Sequence, residues 1–290
     1  MNKRYTHLLI FIILAFTTTC TTKKEEWRSL LTKDMQGWEN YLSFRHQLGY
    51  NGEAPKDSAG NAIQPIGYNK DTLNIFSTTE EHGETVLRIS GEIYGCIFTK
   101  EEFENYHLKL KFKWGNLKSD PRKDEYMDSG VLYHSQGESG VDYWRSWMLS
   151  QEFQIIEKGN GDFWPISTSI VDISVADTTA DTLQYKAGGI PTSFGHGTGG
   201  RIHCLRGKNT EKPNGEWNTL ELICFGDKAI YIINDEVVNA ISNSRYFDGT
   251  TAKPLTKGKL QLQSEAAEIF FKEIQIKNIT KIPEDYTNVF

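Results

Sequence analysis

Almost no stretch of this chain repeats its apolar residues at helical spacing, which excludes helical bundles and coiled coils. Basic charge is in deficit. Against 32 Lys and Arg stand 38 Asp and Glu, a formal charge of −6, so nucleic acid is excluded as a partner. Cysteine is scarce: Cys20, Cys96, Cys204 and Cys224 show no C-x-x-C spacing, so neither a disulfide framework nor a zinc knuckle is readable, although one pair among the last three stays open. Gly-x-Ser-x-Gly, His-Glu-x-x-His and dinucleotide fingerprints are missing, which removes serine hydrolases, zinc peptidases and dehydrogenases. Gly197-Thr198-Gly199-Gly200-Arg201 fails as a phosphate loop, because neither Lys-Ser nor Lys-Thr follows and no helical pattern begins there. Long apolar runs are missing too, with one exception at the start.

That exception is Leu8 to Phe16, preceded by Lys3 and Arg4. It is shorter than the ~20 residues a membrane span needs and fits a secretory signal peptide over residues 1–19. The stretch ending Thr17-Thr18-Thr19-Cys20 resembles a loose bacterial lipoprotein box, with Cys20 as the lipidated residue, and residues 20–26 are charged and apolar-free, as expected of a tether. Thr19 departs from the small residue usual before the cysteine. The segment after Cys20 resembles those that send some Bacteroidetes lipoproteins to the outer surface, so the expected location is the cell envelope, held at the outer membrane by lipid alone. The first nineteen residues carry Lys3 and Arg4 and no acid, so their removal takes the charge from −6 to −8.

Residues 27–290 read as one all-β domain. Period-two alternation bounded by Gly, Asn and Asp recurs throughout, and 107–114 is the clearest case: Leu108, Leu110, Phe112 and Trp114 face a core, while Lys109, Lys111 and Lys113 face away. Strands are also expected at 85–90, 93–99, 130–134, 151–156, 217–225, 229–234, 258–263 and 269–277. Phe225-Gly226-Asp227 and Asn234-Asp235 frame a hairpin. No fixed repeat suggests a propeller, so a two-sheet antiparallel jelly-roll sandwich is expected, with long functional loops at 41–69 and 160–212.

Within 151–156, Glu152 and Gln154 share one face and Phe153 with Ile155 the other. If the polar face lines a groove, the carboxyl can move a proton while the amide orients a hydroxyl; otherwise it is a solvated sheet face. His134, at a strand end, is a candidate proton carrier or metal ligand because histidine titrates near neutrality. Tyr143-Trp144-Arg145-Ser146-Trp147 and Trp164 place aromatic rings in loop-like surroundings, where they can stack on pyranose faces or plug the sandwich ends. Trp38, Trp114 and Trp217 read as core. The glycines at 195–200 allow tight turns that carry His196, His203 and Arg206 toward the groove.

Five segments in order resemble the 3-keto-disaccharide hydrolase family, over roughly 27–279: Asp128-Ser129-Gly130-Val131-Leu132-Tyr133-His134, Gln151-Glu152-Phe153-Gln154-Ile155-Ile156-Glu157, Gly215-Glu216-Trp217-Asn218, Ile233-Asn234-Asp235, and 258–263 leading to 271–274. The resemblance implies a concanavalin A-like jelly roll and cleavage of glycosides oxidised at carbon 3. Elimination across C2 and C1, then addition of water, gives net hydrolysis. Many members have Asn-Gly where this chain has Asn234-Asp235, Asp in place of Glu157, and His-Gly where it has Ser264-Glu265-Ala266, which makes Glu265 the candidate at that place.

The expected catalytic residues are therefore Glu152, His134 and Gln154, with Trp144, Arg145, Trp147, Glu157, Trp164, His203, Arg206 and Glu265 on the substrate. A divalent metal ion is a possible cofactor, with Glu157, Asp162 and Glu265 able to join Glu152 or His134, though no ligand motif is present. The ligand is an oligosaccharide or modified glycoside. Glu152-x-Gln154-x-x-Glu157 overlaps the Glu-x-Asp-x-x-Glu of retaining glycosidases, but an offset of five puts the two carboxyls on opposite strand faces. The rival class is a glycan-binding surface lipoprotein without catalysis, since the same fold and the same loop tryptophans serve binding equally well.

Overall fold

The structure is a computed structural model and describes residues 26–290; the signal peptide, Cys20 and the tether up to residue 25 lie outside the described residues. In chain order the strands are β1 (Arg28–Ser29), β2 (Trp38–Leu42), β3 (Gly67–Tyr68), β4 (Phe76–Glu81), β5 (Glu84–Ile89), β6 (Gly95–Thr99), β7 (Tyr106–Lys118), β8 (Asp128–Gln136), β9 (Leu149–Ile156), β10 (Phe163–Ile166), β11 (Ser169–Val175), β12 (Ile190–Gly195), β13 (Asn218–Phe225), β14 (Lys228–Ile233), β15 (Glu236–Phe247), β16 (Ala252–Pro254), β17 (Lys259–Ser264) and β18 (Ala267–Asn278). They form two antiparallel sheets, one of eleven strands and one of seven in the order β10-β9-β8-β17-β6-β2-β3. This is the expected jelly-roll sandwich. No helix among the described residues is long and apolar enough to cross a membrane.

Alternation decides which face of each strand meets the core. From β7, Leu108, Leu110, Phe112 and Trp114 enter it, while Lys109, Lys111 and Lys113 lie on the outer face and pair with Glu221, Glu273 and Glu81. From the smaller sheet come Val131, Tyr133, Phe153, Ile155, Leu260 and Leu262. Burying each such side chain is worth about 1.5–3 kcal/mol, so a register slip that turned them outward would be prohibitive. Tyr231 of β14 crosses between the sheets: its ring stacks on Phe153, and its Oη donates to the Glu152 carbonyl at 3.0 Å while accepting from Tyr133. The central site strand is thus pinned from behind.

Asn234 and Asp235 both have positive φ, 50° and 67°, which is the two-residue primed turn that returns β14 into β15. Asp tolerates this region, so the glycine usual in the family is dispensable here. Three expectations need correction. Segment 160–212 is not one loop but carries β10, β11 and β12, with Val171, Ile173 and Val175 alternating into the core; Pro165 fits because β10 is an edge strand. Trp217 lies before β13, half-buried, with Lys113 and Lys272 over its ring, and is not core. Cys96, Cys204 and Cys224 are all free and buried, so none is paired.

Candidate active site

The outer face of the seven-stranded sheet carries the polar cluster. Glu152 and Gln154 of β9, Asp128 of β8 and Glu265 just after β17 all open into one cleft of about 790 Å³, and all are buried. Gln154 Nε2 donates to Asp128 Oδ1 at 2.6 Å, and Arg122 approaches Asp128 Oδ2 at 2.7 Å and Glu265 at 3.6 Å. Gly130 makes this possible: a Cβ there would sit 2.4 Å from Gln263 Oε1 and 2.7 Å from Glu152 Oε1. Side chains from the strands on either side of β8 occupy the space its missing side chain leaves.

Three buried carboxyls against one guanidinium cannot all ionise cheaply. Burial, and then the charge of Asp128, push Glu152 and Glu265 well above the usual carboxylate range. Asp128 is pushed by burial up to about 7, with Arg122 opposing the rise. The cluster therefore holds protons at neutral pH and can both give and accept them.

The walls are built by loops. Asp142 accepts backbone N–H groups from Trp144, Ser146 and Trp147 at 2.7–2.8 Å, folding 142–147 into a tight turn that presents Trp144 and Trp147 to the cleft. His46 Nε2 donates to the Trp144 carbonyl, and Tyr50 stacks on the Trp144 ring. Across the cleft, Trp164 of β10 stacks on His203 at 4.4 Å. His203 Nε2 meets Asp162 Oδ2 at 3.1 Å, and Arg206 holds Asp162 Oδ1 through its backbone N–H at 2.8 Å and its guanidinium at 3.0 Å. This gives an Asp–His pair in the wall, fixed by an arginine behind it.

Of the residues expected from sequence, Glu152, Gln154, Trp144, Trp147, Trp164, His203 and Glu265 line the cleft. Four do not. His134 is fully buried beside Tyr106 and Tyr133, accepts φ = 52° at a break in the β8–β9 register, and bonds the Leu255 carbonyl through Nδ1. Burial lowers it to about 4, so it is a neutral core group rather than a proton carrier. Arg145 turns away to the Gly52 carbonyl, Arg206 is held by Asp162 and the Lys158 carbonyl, and Glu157 bonds the Met127 N–H and lines a separate groove with Glu211. That placement follows from its odd offset from Glu152. Of the expected metal donors Glu152, Asp162 and Glu265 line the cleft while Glu157 and His134 do not, and among the described residues no three His, Cys, Asp or Glu are arranged to hold an ion. Sequence reasoning missed Arg122, Asp128 and Asp142. Asp128 was discoverable, two residues before Gly130 and hence on the same strand face.

An acidic, aromatic-walled cleft on a two-sheet sandwich is the chemistry of a carbohydrate-active protein. Residues 26–277 match the 3-keto-alpha-glucoside-1,2-lyase-like domain, and the chain belongs to that family. Similar solved structures include a putative glycosyl hydrolase from Parabacteroides distasonis (19% identity, 88% of this chain and 100% of that one, TM-score 0.46). Others are the carbohydrate-binding module CBM66 from Bacillus subtilis (9%, 70% and 92%, 0.40) and LamA from Z. galactanivorans in complex with laminaritriose and laminaritetraose (11%, 87% and 98%, 0.42). No curated protein matches the chain.

Proposed function

We propose that this protein cleaves 3-keto-glycosides by elimination followed by addition of water. The observation that carries the reading is the buried, proton-holding Glu152 in one tryptophan-walled cleft with a carboxylate-backed His203, which stacks on Trp164, the cross-strand partner of Glu152. A ketone at C3 acidifies the C2 hydrogen. His203 takes that proton, and Asp162 stabilises the imidazolium that results. The C2–H electron pair passes into the enolate, whose oxygen gains negative charge toward the Arg122 guanidinium. The enolate then collapses, the C1–O bond breaks, and protonated Glu152 gives its proton to the departing oxygen. Water then adds to C1 of the resulting enone, giving its proton to the Glu152 carboxylate, while C2 regains the proton held by His203, so atoms and charge balance and both groups return to their starting states.

Two substitutions separate these roles. Glu152→Gln should slow release of a simple alcohol from its 3-keto-glucoside by about 10²–10⁴-fold, but a 4-nitrophenyl 3-keto-glucoside, whose leaving group needs no proton, should recover most of the rate. His203→Gln should be slow with both. Near-normal alcohol release by Glu152→Gln would remove Glu152 from the site, and release from unoxidised glucosides by the wild type would point to an ordinary glycosidase. We also propose that the chain is exported and anchored by lipid on Cys20; the apolar run, Cys20 and the charged tether support this.

A further inference from the structure

The mouth of the cleft differs in chemistry from its floor. Val141, Tyr143 and Ile202 line the same cleft and are 49%, 55% and 51% exposed. Val141 and Tyr143 come from the loop between β8 and β9, whereas Ile202 follows the glycine turn after β12. They thus come from two separate loops that border the one cleft whose carboxyls are carried by β8 and β9. The charges are elsewhere: Asp128, Glu152, Asp162 and Glu265 are buried, Arg122 lies among the floor carboxyls beside Asp128 and Glu265, and both Asp142 oxygens are taken by backbone N–H groups. Nor is the Tyr143 loop loose. Tyr143 Oη donates to the Tyr50 carbonyl at 3.1 Å, Tyr50 Oη donates to the Tyr143 carbonyl at 3.0 Å, and a Cβ on Gly52 would lie 2.8 Å from the Tyr143 ring. In the other loop the backbone bonds Gly195 N to Arg201 O and Ile202 N to Gly200 O hold Ile202 in place.

Exposed apolar side chains gathered around one pocket mark where an apolar ligand surface is received. A second sugar ring would ask this region for hydrogen bonds, yet its polar side chains are few, and His196 is stacked on Phe247. We infer that the group leaving from C1 is a flat, apolar, uncharged aglycone, gripped by the Val141–Tyr143 and Ile202 loops while the keto sugar occupies the carboxyl floor. This rests on the keto-glycoside reading for its chemistry but not for its test.

The test measures binding of unoxidised ligands, which need no turnover. Tryptophan fluorescence of the solubilised mature protein is titrated with 2-phenylethyl glucoside, ethyl glucoside of the same anomeric form, and a glucose disaccharide. The phenylethyl compound should bind about tenfold tighter than the ethyl compound, equivalent to about 1.4 kcal/mol, and Val141→Ser or Ile202→Ser should cut that advantage to under about threefold while leaving ethyl glucoside unchanged. Both positions are exposed, so these variants should fold. Equal binding, no binding by either glucoside at millimolar concentration, tighter binding of the disaccharide, or an advantage kept in both variants overturns the proposal. Turnover of 3-keto-glucosides is scored separately: cleavage without the preference sinks this inference alone, and preference without cleavage sinks the elimination chemistry alone.

Discussion

Glu152 carries a stability consequence that can be measured apart from its chemistry. In the unfolded chain it ionises near its ordinary value of 4.5, but in the folded cleft burial and Asp128 keep it protonated to much higher pH. Its favourable contribution is therefore complete below about pH 4.5 and is lost as pH rises toward the folded value. Gln has no proton to lose. The stability of Glu152→Gln relative to wild type should climb by up to about 1.4 kcal/mol per pH unit as pH rises above about 5, read by urea unfolding; a difference independent of pH would show the carboxyl to be solvated. Period-two reading placed Glu152 and Gln154 on one face correctly because β9 is regular there. The choice of His134, made because a strand-end histidine titrates near neutrality, failed, since its backbone at positive φ beside the register break leaves the ring buried against Tyr106 and Tyr133. Arg122 left no trace in the pattern at all: it lies between β7 and β8, and only the fold brings it to Asp128.

Elements divide along the same line. β7 and the β13–β14 hairpin were legible because they alternate cleanly or pair with a sequence neighbour across a turn signal, whereas β15, bulged in its pairing with β14, was not expected. β10 to β12 were not, since Pro165 and the surrounding glycines and polar residues mask short strands even though β10 pairs β9 and β11 pairs β12 next along the chain; only β15, the other partner of β11, is distant. Tyr143 to Trp147 was recognised as an aromatic loop, but its organiser was not, because an aspartate collecting backbone N–H groups leaves no spacing signature. Asp142→Ala should free those three donors and let the turn spread. We expect a loss of about 1–3 kcal/mol in stability and a KM for 3-keto-glucosides raised more than kcat is lowered, since the turn holds Trp144 and Trp147 but no proton-transfer group. An unchanged KM would mean that the tryptophan wall does not touch substrate.

At the scale of the molecule, the seven-stranded sheet works as a two-sided plate: one face packs into the sandwich core, and the other, roofed by loops, supports the cleft. Neither face depends on covalent cross-links. Cys204 and Cys224 sit in the main core, whereas Cys96 belongs to the apolar cluster under Trp144 and Trp147, so the thiols are distributed between the two sides of the plate. Burial pushes all three thiols far up, which makes them unreactive while the fold persists. The fourth cysteine, Cys20, is the proposed lipid anchor and would be blocked as a thioether. One thiol count therefore tests the architecture and the anchor together. Protein taken from the cell envelope should show no reactive thiol when native and three when denatured without reductant. Four would mean an unmodified Cys20 and leave the membrane attachment without a basis, and one would mean that two of the buried cysteines pair, contrary to their placement here.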